Sequence, residues 1–474
     1  MIAVGVIIML TSCDKALDIN VSPNNPASST PQLTLPTGQT ILAVTLESDY
    51  NLLGNFMAQY WTQGPTASQY SFLETYTITT NNYTAAWSRM YASSLEDLEF
   101  VRKKSLEDGL PNYAAIAQLL QAYGFQILVD LYDQVPYSEA LKGKDGITTP
   151  KFDTGQDIYD DLIVKIDEAL DMIDLTSTAI RPGSEDLIYR GDMKLWIKFA
   201  NTLKLKIYLR QSEARESVAQ AGIQALYSSG AEFLSATDDA MVGFSSSTNS
   251  QNPIWQNLNL TTFQNVVASE TSITTLNDNG DARITALYNV APNSNTYVGL
   301  EQGVGTNSGD TYPDFAVPSF TNIISATKSA ILMSGVESLF MQAEAVQRGW
   351  GSGSDKALYD EAVSTSFANY GLDATSVLTT GGVYEYDNSL EAISYQRWLA
   401  FNGTQGFEAW TERRRLGVTD WANGSSSSIF RQSATSTLAA NDYPLRLIFP
   451  SNETAANPNV PTREELTSPV WWDQ

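Results

Sequence analysis

The sequence predicts a mainly α fold, in which helical hairpins stack into one large domain that carries a loop-rich insertion. Three observations predict it. Residues 113–133 form a helical stretch that is apolar on nearly every face, helical patterns separated by short polar or Gly/Pro breaks lie on both sides of it, and residues 238–330 are loaded with Ser, Thr, Asn and Gly and have little helical period.

The stretch 113–133 comes first because it has to be a buried helix. Ile116, Leu119, Leu120, Tyr123, Ile127, Leu128, Leu131 and Tyr132 leave only Gln118, Gln121, Gln126 and Asp130 as polar sites, whereas a surface helix shows one apolar stripe. A membrane span is excluded, since the three Gln and the Asp fall through its middle, where hydrocarbon offers them no partner. Gln134, Val135 and Pro136 end the helix, because proline disfavours helical geometry in the residue before it. Before and after it, helical patterns cover 39–60, 83–104, 156–173, 192–210 and 214–228, a succession that resembles tetratricopeptide packing without its strict consensus. In the fourth of these, Trp196, Phe199, Leu203 and Ile207 recur at three- and four-residue steps as a packing stripe, with Lys198, Lys204, Lys206 and Arg210 expected as solvated charge. Helices resume at 331–349, 356–370, 389–401 and 403–416. The domain therefore reads as a helical array (37–237), a loop-rich insertion (238–330), returning helices (331–420) and an irregular C-terminal segment (421–474), all within one unit, 37–474.

At the N-terminus, residues 1–12 look like the apolar core of an export signal, too short at ~1.5 Å per residue to span ~30 Å of hydrocarbon. No Lys or Arg precedes the run. Leu10-Thr11-Ser12-Cys13 resembles a bacterial lipobox, and Cys13 is the only cysteine in the chain, so lipidation at Cys13 is expected, with residues 13–36 as an extended Pro/Asn/Ser/Thr-rich tether.

Composition removes several function classes. The 28 Lys and Arg against 53 Asp and Glu give a net charge of −25, which disfavours nucleic acid. The chain has no histidine, so Ser-His-Asp triads, HExxH zinc sites and imidazole proton shuttles are absent. Asn277-Asp278-Asn279-Gly280-Asp281 resembles part of a calcium loop, but the register that fits Gly280 puts Ala286 where the bidentate acid belongs, so it reads as a turn. No cofactor is expected, although so acidic a surface leaves room for structural calcium elsewhere. Arg413, Arg414 and Arg415 are expected to pair with carbonyls and carboxylates, and the terminal PVWWD to plug the fold with two indoles.

Several runs, in order, carry a family resemblance: LDINVSPNNP (17–26), LYDQVPYSEAL (131–141), WIKFANTLKLKIYLR (196–210), YVGL (297–300), ILMSGVESLFMQAEAVQRGW (331–350), YQRWLAFNGTQGFEAWTERRRLG (395–417), RLIFPSNETAANPNV and PVWWD. By these the chain resembles the SusD/RagB outer-membrane lipoproteins of Bacteroidetes, in their SusD-like second subgroup. It departs at Asp281-Ala282-Arg283, where the family often has Asp-Pro-Arg. The resemblance implies a helical fold with tetratricopeptide-like units, a lipid anchor on the outer-membrane surface, and a SusC-like TonB-dependent transporter as partner. It implies a non-enzyme that binds oligosaccharide or, in some members, peptide. The rival class is a helical glycoside hydrolase using paired carboxylates, for which no spacing singles out a pair.

The ligand site is expected where exposed aromatic rings stand beside amides on loops, because sugars present apolar C–H faces and a rim of hydroxyls. Two stretches fit, 69–82 and 249–255. Tyr70, Tyr76 and Trp255 are the candidate stacking surfaces, Gln69, Asn81, Asn82 and Asn252 the candidate hydroxyl partners, with Tyr297 and Tyr312 available from the insertion.

Overall fold

The structure, a computed structural model, describes residues 29–177, 179–260, 263–305, 309–419, 427–462 and 464–473. The expected export signal and lipidation site, Cys13 included, lie outside them.

The helical array opens with α1 (Pro31–Thr45), which runs through a π-helical turn, Leu46–Asn51, into α2 (Leu52–Met57). The expected tether is thus shorter than 13–36. Pro31 sits in the first turn, where its missing N–H is no loss, and Thr30 caps the helix by accepting from the Leu33 amide, so residues 31–36 are helical despite Pro36. A short strand β1 (Trp61–Gln63) follows, then α3 (Thr84–Arg89) and α4 (Glu96–Glu107), joined by a second π-helical turn. Next comes the central helix α5 (Pro111–Tyr132), buried at every residue after Pro111. Helices α6 (Gly155–Met172), α7 (Met193–Arg210) and α8 (Glu216–Ser228) complete the array; α4 and α6 pack on either side of α5.

The four polar residues of α5 each find a partner inside the protein, which is why a helix of this composition belongs to a core. Gln118 donates to the Lys165 carbonyl at 2.7 Å, Gln121 to Glu99 at 3.1 Å and Gln126 to Asp130. Asp130 also accepts from the Tyr159 hydroxyl and, at 2.9 Å, from the Trp472 indole. The C-terminal plug is therefore real: Trp472 is fully buried on the central helix, while Trp471 packs edge-on against Tyr159.

The insertion holds β2 (Ala240–Val242), α9 (Pro253–Asn259), β3 (Val266–Ala268) and α10 (Glu270–Asp278). The expected helix 331–349 begins instead as strand β4 (Ala330–Met333), which pairs antiparallel with β2 before Ser334 caps α11 (Gly335–Gln347). Pairing wins there because Ala330, Leu332 and Met333 are buried along one short apolar run. Helices α12 (Asp355–Ala368), α13 (Leu390–Phe401) and α14 (Gly406–Leu416) return the chain to the array, with α14 packed on α2. At Gly54 and Gly406 the α2 and α14 backbones touch: a Cβ on Gly54 would lie 2.1 Å from the Gly406 carbonyl carbon.

One expectation is overturned on α7. Lys206 and Arg210 are not solvated charge; they are buried in an ionic network that joins α7 to α11, α13 and α14. Lys206 bridges Glu337 (2.6 Å) and Glu408 (2.9 Å), and Arg210 reaches Glu408 (2.6 Å), Glu412 and Asp130 (3.2 Å). Arg397 and Arg415 both reach Glu344 and Glu412. Burial pushes the Glu344 carboxyl up, but Arg415 and Arg397 outweigh it and hold it down at about 2. Arg413 and Arg414 bond to the carbonyls of Met57, Asp130 and Leu445, and Arg415 to that of Leu209, as the sequence leads one to expect. Four-residue spacing cannot show that the second face of α7 also meets protein.

Candidate functional site

Strands β1 and β3 build the site's base. They pair antiparallel, Trp61 with Ala268 and Gln63 with Val266, so the loop that leaves β1 and the turn that enters β3 lie side by side. Gly64 allows it, because a Cβ there would stand 1.9 Å from the Gln264 carbonyl oxygen. Across this seam Asn265 donates to the side-chain oxygen of Gln69, which is exposed.

Beside the seam stands an aromatic shelf. Helix α9 starts at Asn252, whose side-chain oxygen accepts from the Trp255 amide at 3.1 Å, and Pro253 occupies the first turn. Beyond the helix, the Phe263 amide returns 2.8 Å to the Leu258 carbonyl with φ at +61°, a left-handed conformation that bulky residues rarely adopt. That turn sets the Phe263 ring between Trp255, at 6.4 Å, and Phe320, at 4.9 Å. Phe320 is 40% exposed, Trp255 and Phe263 are half-buried, and neighbouring Leu260 is 84% exposed. The Trp255 indole N–H donates to no described residue. A row of three rings at ~5–6.5 Å spacing, with the exposed Gln69 amide, held by the buried Asn265, beside the seam, suits the apolar face of a ring-shaped polyol and its hydroxyl rim.

Several residues expected at the site lie elsewhere in the structure. Tyr70 and Tyr76 are only 6% and 4% exposed. Tyr70 packs on Phe56 at 5.7 Å and its amide donates to Gln63; Tyr76 holds a left-handed turn. Both pin their loop to the core, and burial pushes the Tyr70 phenol up to about 12. Asn252 is 1% exposed, with its amide spent on Glu47 and on the Lys328 carbonyl. Asn81 and Asn82 are exposed but turn away from the shelf: Asn81 accepts from Ser451 of the C-terminal segment, and Asn82 closes its own turn on Thr79. Tyr297 and Tyr312 are half-buried, and Tyr312 packs on the small cluster of Val267, Leu300, Phe315 and Val317. Of the nine candidates, Trp255 and Gln69 stand at the shelf. Phe263, Asn265 and Phe320 were missed, although single aromatics inside the polar runs TTFQN and PSFTN are the same signal that drew attention to Trp255.

The expected turn at 277–281 is present, but Asp281 is the fully buried partner of Arg283 and faces no solvent. The groups at the shelf are rings, amides and an indole, which can bind and orient a ligand. The buried carboxylates Glu337, Glu344, Glu408 and Glu412 are each held by Lys or Arg.

The chain matches the SusD-like family model described as starch-binding and associating with the outer membrane, over residues 23–450. No curated protein matches it. Among solved structures it is similar to a chitin-binding protein (22% identity, TM-score 0.79, covering 94% of this chain and 100% of the other). It is also similar to a SusD homolog from Bacteroides vulgatus (23%, 0.76, 93% and 97%) and to a chitin-binding SusD homolog from Flavobacterium johnsoniae (19%, 0.75, 93% and 98%).

Proposed function

Because the chain belongs to the SusD-like family, whose members are described as starch-binding and associated with the outer membrane, we propose that it is a non-catalytic lipoprotein that captures an oligosaccharide on the Trp255–Phe263–Phe320 shelf and hands it to a SusC-like TonB-dependent transporter. The half-open row of rings, ending in the exposed Phe320, carries this reading. A monomeric surface does not usually leave aromatic rings and an 84%-exposed leucine together unless something covers them. Holding Phe263 in a left-handed turn costs about 1–3 kcal/mol, which a fold bears where the ring's placement is used. The chitin-binding names of two similar structures and the starch of the family description support testing N-acetylglucosamine and glucose polymers as ligands.

Hydrolysis would need two carboxylates flanking a bound glycosidic bond. The shelf offers rings and amides instead, so capture is the better supported chemistry. A receptor with no means of moving cargo across a membrane also needs a transporter, and a lipid on Cys13 would hold the two together at the surface.

Incubating the protein with starch-, cellulose-, xylan- and chitin-derived oligosaccharides, and with peptides as a comparison, tests the reading. Saturable oligosaccharide binding with no new reducing ends supports capture; turnover, or binding of peptides alone, overturns it. Cys13→Ala should release the chain from outer membranes in cells that lack the transporter, and retention there would refute the anchor.

A further inference from the structure

The segment that follows Phe320 lines a groove of about 410 Å³, within the ligand-sized range. Asp239, Asn322, Ser325, Thr327, Lys328 and Asn369 line it. We propose that this groove is a second saccharide subsite, specific for an uncharged sugar unit of the glycan held on the shelf; the proposal rests on the capture reading above.

Uncommitted polar groups are the first reason. The side chains of Ser325, Thr327, Lys328 and Asn369 form no hydrogen bond or ion pair with any other described residue, although Ser325 and Lys328 are only partly exposed. Half-buried donors and acceptors are normally satisfied, so Ser325 and Lys328, with the exposed Thr327 and Asn369 beside them in the same lining, point to a ligand that satisfies them. Charge is the second reason, and it selects the ligand. Lys328 is the only cation in the lining and Asp239 the only carboxylate; Asp239 already accepts from the Gly335 amide at 2.7 Å through one oxygen. No carboxylate of a described residue lies within 4 Å of the Lys328 ammonium; burial holds it below the usual lysine range, and the nearby charges of Glu47 and Asp239 offset that only in part. A carboxylate or sulfate on the ligand would gain Lys328 but meet Asp239, and an amine would gain Asp239 but meet Lys328. A neutral polyol meets no such penalty and can give hydroxyl hydrogens to Asp239 while accepting from Lys328 and Asn369. Continuity is the third reason: Phe320 of the shelf is followed at once by Thr321 and Asn322 of the groove lining, so the two sites share the 320–328 segment. Met241, 41% exposed, and Tyr370 supply the apolar surface that a sugar ring needs.

The test uses the full chain and isothermal titration with maltohexaose, cellohexaose, xylohexaose and N-acetylchitohexaose, with oligogalacturonate and chitosan oligomers as charged comparators. For whichever neutral hexamer binds, Lys328→Met and Asn369→Ala should each weaken affinity about tenfold, the worth of one lost hydrogen bond to a charged or buried group, with the melting temperature shifted by less than about 2 °C. The ligand should slow amide exchange over 321–329 and 366–370 as well as at the shelf. Unchanged affinity in both groove variants, with protection confined to the shelf, would overturn the second subsite while leaving capture intact; tighter binding of either charged oligomer would overturn the neutral-sugar assignment. Failure of every oligosaccharide to bind the unaltered chain would refute capture and the subsite together.

Discussion

Arg283→Met is the perturbation that probes how the insertion is fixed to the array. Arg283 and Asp281 are both fully buried and meet in a bidentate pair, Nη2 to Oδ2 at 2.6 Å and Nε to Oδ1 at 3.0 Å. The guanidinium also donates to Ser366 of α12 (2.9 Å) and Gln396 of α13 (3.1 Å) and lies 4.4 Å from the Phe367 ring. Methionine keeps much of the volume but leaves a carboxylate buried with only the Tyr384 hydroxyl and its own turn's amide as donors. Removing one partner of such a pair costs about 3–5 kcal/mol. At ~2.1 cal/mol/K per residue, a chain of 474 residues has an unfolding entropy of ~1 kcal/mol/K, so the melting temperature should fall by about 3–5 °C. Denaturant unfolding and calorimetry of Arg283→Met, Asp281→Asn and the double variant measure it. The double variant should be more stable than the two single costs predict, by at least ~1 kcal/mol. A single-variant cost below ~1 kcal/mol, or strict additivity, would refute the assignment of this pair as the buried link.

Further expectations concern the base of the site and the plug. Glu74 accepts from Thr62 (3.0 Å) and from the amides of Gln63 (3.1 Å) and Gly303, but burial outweighs these bonds and pushes its carboxyl from 4.5 up to about 7. A carboxyl raised by folding favours the folded state when protonated, so its contribution is full below pH 4.5 and is lost as pH rises to about 7, a change of roughly 3 kcal/mol at ~1.36 kcal/mol per pH unit; Glu74→Gln should remove that part of the pH dependence of unfolding, and an unchanged profile would contradict it. Trp472→Ala empties a fully buried indole site whose N–H meets Asp130 at 2.9 Å and whose ring lies 4.9 Å from Arg414, and should cost about 3–5 kcal/mol by denaturant unfolding.

Much of this was legible in the sequence because helical periodicity reports burial directly. The stretch 113–133 is the core helix, its boundaries off by two residues at the start and one at the end, and PVWWD is a plug. What stayed hidden depends on partners far away in the chain. Lys206 and Arg210 read as solvent charge because their acidic partners, Glu337, Glu408 and Glu412, lie more than a hundred residues on. Tyr70 and Trp255 look alike as lone aromatics in polar loops, yet Phe56 covers one ring and the other stays half-open beside Phe263. Nothing local distinguishes them, since the pairing of β1 with β3 decides which loop faces outward. Phe263 and Phe320 lay within reach of the aromatic-in-polar-loop signal, but their pairing across 57 residues did not.

The central claim is that the shelf holds the glycan, and titration of Trp255→Ala, Phe263→Ala and Phe320→Ala with the oligosaccharide that binds the unaltered chain tests it most directly. Each ring should be worth about 1–3 kcal/mol of binding, a loss of roughly 5- to 150-fold. The exposed Phe320 should leave the melting temperature nearly unchanged. Affinity unchanged in all three folded variants would contradict the claim.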